Sequence, residues 1–188
     1  MKHYLHLMTA LLCLAAVVAC SCVQTTSGRV TKRVEPTNAI YHWKGVFNPT
    51  SEEYAFMAKN DIGRLYIRFF DIAAEYNAAY QLMEAVPIAT TMFEGTVPYG
   101  VEVIPVTYIT VEALRQMDGE EYRYASYIIE RMLAMASYNE LGEIKEIQFD
   151  CDWTESTTEI YYALCEYAEA YLNDMGMDLS ITVRLHQI

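Results

Sequence analysis

The chain has 188 residues, of which 53% are apolar, and it carries 13 lysines and arginines against 25 aspartates and glutamates. The resulting net charge of −12 argues against nucleic acid as a partner, because binding to nucleic acid requires a basic surface. Only 8 glycines and 5 prolines interrupt the apolar pattern, so the chain is able to build an ordered core.

The amino terminus has the pattern of a bacterial lipoprotein signal. Lys2 precedes an apolar run over residues 5–19, and Val17-Val18-Ala19-Cys20 resembles a lipobox, in which the cysteine is lipidated as the signal is removed. We predict a signal peptide over residues 1–19, and a lipidated Cys20 with a polar tether over residues 20–38. An uncleaved anchor helix and an ordinary secretory signal are the alternatives. The pattern predicts a lipid-anchored location in the cell envelope, with the membrane as a partner.

Strand-like and helix-like segments alternate after the tether. Capping signals mark where the helices begin and glycines mark where they end. Strands are predicted at residues 39–47, 64–73, 101–110, 144–153 and 179–188, with an accessory strand at 86–93. The predicted helices begin at Thr50 with Glu53, at Thr110, at Asp118 with Glu121, and at Ser156 with Glu159; the first ends near Gly63 and the last at Gly176.

This alternation predicts an α/β fold, and specifically a partial (β/α)8 barrel over residues 39–188 with about five amino-terminal strands. A complete eight-stranded barrel typically needs about 250 residues. The last predicted strand would also leave an uncovered sheet edge. We therefore predict the front portion of a longer protein, completed by a missing carboxyl-terminal portion or by a partner chain. The alternative is a complete five-stranded doubly wound domain.

Residues 146–155 form the most informative segment, because they read as a buried strand that leads into a helix. Carboxylates are rarely buried without a partner or a purpose. Two of them at the carboxyl end of a parallel strand indicate a functional site. Side chains alternate across a strand, so one face carries Ile147, Phe149, Cys151 and Trp153, and the other carries Gln148, Asp150 and Asp152.

Neighbouring strands are predicted to bring further polar side chains to the same end of the sheet. We expect Arg68 and Arg184 to pair with the two aspartates, because a guanidinium offsets the cost of burying a carboxylate. The cluster is either a functional pair of carboxylates with separated pKa values or a set of structural salt bridges. A metal held by Asp150, Asp152 and His186 is a further alternative. The predicted inward-facing residues of the neighbouring strands are His42, Lys44, Tyr66, Arg68, Phe70, Asp71, Ser180, Thr182, Arg184 and His186.

Two resemblances accompany this pattern. The segment Asp150-Cys-Asp152-Trp-Thr154-Glu155 is similar to the D-x-D-x-E signature of the chitinase-type (family 18) glycoside hydrolases, which are (β/α)8 barrels with that motif on the fourth strand. Thr154 stands where those enzymes have the catalytic acid, and Glu155 follows one residue later. The chain also resembles a group of uncharacterised lipoproteins of gut anaerobes. That likeness rests on Tyr41/Trp43 and on residues 64–71, 150–154 and 179–187, and it implies a barrel fold, a surface location and a longer protein.

These observations predict a lipid-anchored envelope protein that acts on or binds a glycan, with Asp150, Asp152 and the displaced Glu155 as the catalytic residues. The alternatives are a non-catalytic surface lipoprotein that binds a ligand or a partner, and an inactive fragment of a longer protein. No phosphate loop, G-x-G-x-x-G or H-E-x-x-H motif is present, so neither a cofactor nor a metal is predicted. The predicted substrate-binding residues are His42, Trp43, Arg68, Asp71, Gln148, Arg184 and His186.

Overall fold

The computed structural model describes residues 37–187, except for the side chain of His186. The predicted signal peptide, the lipidation of Cys20 and the tether up to residue 36 lie outside the described residues. Within residues 37–187, no helix is both long and apolar enough to cross a bilayer.

The central element is a six-stranded, mostly parallel sheet. Its parallel strands are β1 (Asn38–His42), β3 (Ile62–Asn77), β6 (Glu102–Ile109), β7 (Glu146–Cys151) and β8 (Asp178–Ile181), and β4 (Leu82–Ile88) pairs antiparallel with β3. The parallel strands are ordered across the sheet as they are along the chain, without the reversal that defines a doubly wound sheet. In the described part of the chain, no backbone pairing joins β1 to β8, so the sheet is open.

The remaining elements connect these strands. Two short strands, β2 (Val46–Phe47) and β5 (Met92–Phe93), form a separate parallel pair. The helices are α1 (Ser51–Lys59), α2 (Val111–Arg115), α3 (Glu121–Tyr138) and α4 (Thr158–Asn173), and short 3-10 turns occupy Glu155–Thr157 and Leu185–Gln187.

Two of the four predicted helix starts are confirmed. Thr50 and Glu53 form a reciprocal capping box, in which the Glu53 amide donates to Thr50 Oγ1 at 3.2 Å and the Thr50 amide donates to Glu53 Oε2 at 2.7 Å. Thr110 Oγ1 accepts from the Ala113 amide at 3.1 Å and begins α2. Both hydroxyls satisfy amides that have no partner inside the helix.

The other two predicted starts are wrong. Helix α3 begins after Glu120 rather than at Asp118, because Glu121 Oε1 instead accepts from the Gly119 amide at 3.0 Å. Ser156 lies inside a 3-10 turn, where the Thr154 amide donates to Thr157 Oγ1 at 3.0 Å, and α4 starts only at Thr158.

Of the two glycines predicted to end helices, one does so. Gly176 takes a left-handed φ of 71° just after α4. After α1, the left-handed residue is Asp61, with a φ of 48°. Gly63 lies inside β3, where a Cβ would come within 2.5 Å of Thr37 Cγ2, so a larger residue would require the Thr37 side chain to shift.

Three predicted strands differ from those of the structure. The strand predicted at 39–47 is broken between His42 and Val46, and the one predicted at 86–93 is divided between β4 and β5. The strand predicted at 179–188 ends at Ile181. After it, the Arg184 amide donates to the Gln187 side chain at 2.8 Å, and the Gln187 side chain donates to the Trp153 carbonyl at 2.9 Å. These side-chain bonds close a turn where the pattern alone predicted a continuing strand.

A β-bulge in β3 changes which side chains share a face. Arg68 pairs with Val106 and Phe70 with Thr107, so Phe69 is the extra residue. The prediction that Phe70 lies beside Arg68 is therefore wrong, since Phe70 is fully buried in the core on the opposite face. The same bulge brings Asp71 onto the face that carries Arg68.

One face of the sheet packs against all four helices. Met57, Leu114, Ile129 and Leu164, one from each helix, join a single core with the alternate strand residues Leu65, Ile67, Ile109, Ile147 and Phe149. In α4, Tyr161 is the buried tyrosine, whereas Tyr167 is 51% exposed. We call the opposite sheet face the polar face. It carries Tyr41, Tyr66, Arg68, Asp71, Tyr108, Gln148, Asp150, Asp152 and Thr182.

Candidate functional site

The polar face carries charged groups at both ends of the parallel strands. Arg64 pairs with Glu102 and Glu146 at the amino ends. The other charged groups lie toward the carboxyl ends, where the sequence predicted them. Asp152 forms an ion pair with Arg184 and accepts a hydrogen bond from the Tyr108 hydroxyl at 3.3 Å. Asp150 accepts from Thr182 Oγ1. The pairing of Arg184 with one of the two aspartates is as expected from the alternation of residues along their strands.

Arg68 has a different partner from the one expected. It pairs with Asp71, with 3.1 Å between Nη1 and Oδ2, rather than with Asp150 or Asp152. Its Nη2 also donates to the Ala89 carbonyl at 3.4 Å, and Ala89 has a left-handed φ of 49°. The bulge explains this pairing, because without it Asp71 would point into the core.

Asp71 occupies an unusual electrostatic position. Burial raises the pKa of its carboxyl, the Arg68 guanidinium opposes that shift, and the nearby Asp150 carboxylate reinforces it. Asp71 is in register with Tyr108, which is in register with Asp150, so the two aspartates lie two strands apart on the same face. Asp71 Oδ1 is buried and has no hydrogen-bond partner among residues 37–187. Asp71 is therefore a carboxyl group whose pKa is raised although it forms an ion pair with Arg68.

A second layer lies below these groups. The Tyr41 hydroxyl donates to Gln148 Oε1 at 2.7 Å, and Gln148 Nε2 donates to Ser180 Oγ at 3.1 Å. Tyr66 stacks on Tyr41 with 4.7 Å between ring centroids. This layer covers Ile104 and Val106, which are fully buried although they lie on the polar face. Gln148 thus links β1 to β8 through its side chain, and the sequence did not predict that Tyr41 reaches across the sheet to it.

Trp43 extends the aromatic stack toward solvent. Its ring lies 5.7 Å from that of Tyr41 with an interplanar angle of 6°, and it is 45% exposed. It follows β1 by one residue, and the β1–β3 register therefore places it level with Arg68. A Cβ on Gly45, two residues later, would lie 3.8 Å from Arg68 Nη2. An exposed aromatic surface therefore borders the charged cluster.

His42 and Lys44 do not belong to this cluster, so their predicted inward placement is wrong. The His42 ring packs edge-on against Phe47 at 5.0 Å and its Nε2 lies 3.0 Å from the Val46 carbonyl oxygen. Burial lowers the pKa of His42, and the Val46 carbonyl opposes that shift. Lys44 pairs with Glu53 of α1 at 3.0 Å. Both side chains point away because Tyr41 and Trp43 occupy the alternate positions of the strand.

Glu155 also lies apart from the two central aspartates. It begins the 3-10 turn after β7 and is exposed. No hydrogen bond or ion pair connects it to Asp150 or Asp152 within residues 37–187. Trp153, between them in sequence, is buried in the core. The side chain of His186 lies outside what the structure describes, so its predicted role is carried by the sequence alone.

The described residues contain no group of three or more histidine, cysteine, aspartate or glutamate side chains arranged to hold a metal ion. Cys151 and Cys165 are free thiols, and burial raises the pKa of each to about 12. Neither thiol belongs to the polar face, since Cys151 lies in the helix-packed core and Cys165 packs against it. They have no part in the chemistry of this site.

No protein-family model, curated protein sequence or solved structure matches this chain. The geometry of the polar face is therefore the main indication of what this protein does.

Proposed function

We propose that this protein is a lipid-anchored component of the cell envelope whose polar face binds a glycan. The observation that carries this proposal is the half-exposed Trp43 ring, which stacks on Tyr41 and lies level with Arg68, on the sheet face that also carries Asp71, Asp150 and Asp152. A flat apolar ring bordered by fixed hydrogen-bonding groups matches the two surfaces of a sugar, since its C–H face is apolar and its hydroxyls both donate and accept. The resemblance to chitinase-type glycoside hydrolases supports the same ligand class.

The finer fold proposal is a partial (β/α)8 barrel, with the polar face as its interior. Three observations support it: the strand order follows the chain, the helices share one face, and Tyr41 reaches across the sheet to Gln148. A barrel interior is filled by layers of side chains, and ligands bind above them at the carboxyl ends of the strands. The Tyr41 layer and the charged groups above it have this arrangement.

The raised pKa of Asp71, and its place on the same sheet face as Asp150, favour glycoside hydrolysis as a second candidate function. A neutral Asp71 would donate its proton to the glycosidic oxygen as the bond to the anomeric carbon breaks. Water would attack that carbon and give a proton to the Asp150 carboxylate, so that the sum is hydrolysis by one water molecule. In this proposal Asp71 takes the acid role predicted for Glu155, because Asp71 and not Glu155 shares a face with Asp150.

The test of glycan binding is an array of glycans probed with the full chain and with two single-site variants. We expect Trp43→Ala to weaken binding of the recognised glycan by about tenfold or more, because loss of an aromatic contact in a binding site typically has this effect. Tyr99→Ala is the matched control, since Tyr99 is fully exposed in a loop. Absence of binding to every glycan would refute the ligand class. Equal binding by Trp43→Ala and wild type would refute the location.

The lipid anchor is tested separately by intact mass and by labelling with a fatty acid in a bacterial host. We expect the mature protein to lack residues 1–19 and to carry acyl chains that disappear in Cys20→Ser. A mass equal to that of the unprocessed chain would contradict the anchor and leave the glycan site untouched.

A further inference from the structure

A separate cleft lies on the helix-packed face of the sheet, between β4 and α3. Its volume is about 270 Å³. The floor is apolar, because Phe70, Ile72 and Ile128 are each at most 4% exposed. The walls come from α3, where Arg123, Tyr127 and Arg131 recur at intervals of four residues and so follow one side of the helix. The rim is formed by Glu84, Val86 and Pro87 of β4.

Arg131 is the charged group that distinguishes this cleft. Its guanidinium lies over the Phe70 ring, 5.0 Å from the centroid, and Nη2 donates to Thr90 Oγ1 at 3.0 Å. Its Nε is buried and has no hydrogen-bond partner in the described chain. The other partly buried arginines, Arg64 and Arg68, are each held by a carboxylate. No carboxylate within residues 37–187 lies within ion-pair distance of Arg131.

An arginine that is partly buried without a counter-ion is costly, and the cost falls when an anion supplies the missing acceptors. A guanidinium binds a carboxylate with two parallel hydrogen bonds. Arg131 is already held in place by the Phe70 ring and by Thr90, so little conformational entropy is lost on binding. An anion in the cleft would therefore supply the counter-charge that the guanidinium of Arg131 lacks among residues 37–187.

The surroundings narrow the class of ligand. The apolar floor favours a hydrocarbon body, and a volume of about 270 Å³ lies just below the range of about 300–1,000 Å³ typical of small-molecule sites. Glu84 on the rim and a net charge of −12 disfavour ligands with several negative charges. We propose that this cleft binds a small amphipathic monocarboxylate, with its carboxylate on Arg131 and its hydrocarbon chain on Phe70 and Ile128.

The test uses the full chain and three probes: hexanoate, hexanol and acetate. Hexanol keeps the hydrocarbon chain without the charge, and acetate keeps the charge with almost no hydrocarbon. Binding is followed by NMR, through the Nε–H signal of Arg131. We expect hexanoate to shift this signal and to bind more tightly than either of the other probes.

Single-site variants test whether hexanoate binds at Arg131. Arg131→Gln is expected to weaken hexanoate binding by about tenfold or more, since it removes the charge and the charge-assisted hydrogen bonds of the guanidinium. Arg115→Gln is the control, because Arg115 is an exposed arginine of α2 that does not line the cleft. Arg131→Lys keeps the charge but loses the planar guanidinium, so it should also bind hexanoate more weakly than the wild type. This second variant keeps the proposal testable if Arg131→Gln does not fold.

Equal affinity for hexanoate in Arg131→Lys and wild type would overturn the proposal, and so would an unshifted Arg131 signal at saturating hexanoate. The cleft and the polar face lie on opposite faces of the sheet. Failure here would therefore not affect the glycan proposal, and a failed glycan array would not affect this one.

Discussion

The hydroxyl of Tyr41 on β1 donates a 2.7 Å hydrogen bond to the side chain of Gln148 on β7, although β3 and β6 lie between these strands. In a flat sheet, strands three positions apart are separated by about 14 Å, because neighbours lie about 4.8 Å apart. A tyrosine and a glutamine span that distance only when both are stretched along the sheet, so their contact indicates that the sheet curves toward the polar face. This curvature brings side chains from separate strands into one site.

The bridge should contribute measurably to stability. We expect Tyr41→Phe to lower the free energy of unfolding by about 1 kcal/mol, since it removes one hydrogen bond and leaves Gln148 Oε1 without that donor. Urea denaturation measures the change, and Tyr99→Phe is the control because that side chain is fully exposed. Equal stability of the two variants would show that the bridge contributes nothing.

A substitution at Ile104 tests whether the layer of Tyr41 and Tyr66 covers the polar face. Ile104 lies on that face and is fully buried. Ile104→Ala should destabilise the protein by about 2–5 kcal/mol, because it removes apolar contacts and leaves a cavity. The comparison is Ile181→Ala on β8, where the side chain is 40% exposed and the loss should be much smaller. If the two variants unfold at the same urea concentration, the polar face is not covered as described.

Asp71 should titrate above the ordinary aspartate value of 3.8, because burial and the Asp150 carboxylate disfavour its charged form more than Arg68 favours it. The folded state then holds the proton more tightly than the unfolded state. Stability contributed by neutral Asp71 is present below the unfolded pKa and is lost as the pH rises through the folded pKa. Carboxyl carbon NMR measures the folded pKa directly.

Two variants identify the cause of this shift. Asp150→Asn should lower the pKa of Asp71, and removal of the guanidinium in Arg68→Met should raise it further. A midpoint for Asp71 at or below 3.8 in the wild type would mean that Arg68 dominates, and it would remove the support for Asp71 as a proton donor.

Substitution by alanine should affect stability differently at two loop glycines, Gly95 and Gly45. A Cβ on Gly95 would lie 2.7 Å from Pro49 Cδ and 3.1 Å from the Asn48 Cα, whereas one on Gly45 would meet nothing closer than 3.8 Å. We expect Gly95→Ala to cost about 1–3 kcal/mol, because a rigid ring and a backbone atom cannot easily move aside. Gly45→Ala should be nearly neutral. Thermal unfolding of both variants tests this difference, and a similar midpoint for the two would refute the close approach.

The sequence by itself determined the α/β class, the order of the main elements and the two faces of β7. These follow from periodicities of two and 3.6 residues, which depend only on local backbone geometry. It also located the Thr50 capping box and the acidic end of β7, because both are patterns within a few residues.

Only the tertiary structure decided how separate strands meet. The bulge at Phe69 reverses the faces of all later residues in β3, and its position depends on pairing with β6, which no local pattern encodes. Because of the same strand pairing, Arg68 forms its ion pair with Asp71 and not with Asp150. The Tyr41–Gln148 bridge depends on the arrangement of four strands, and the early end of β8 depends in part on the bond from Gln187 to the carbonyl of Trp153, 34 residues away in the chain. Such contacts join residues far apart in the chain, so they form only when the whole sheet is assembled.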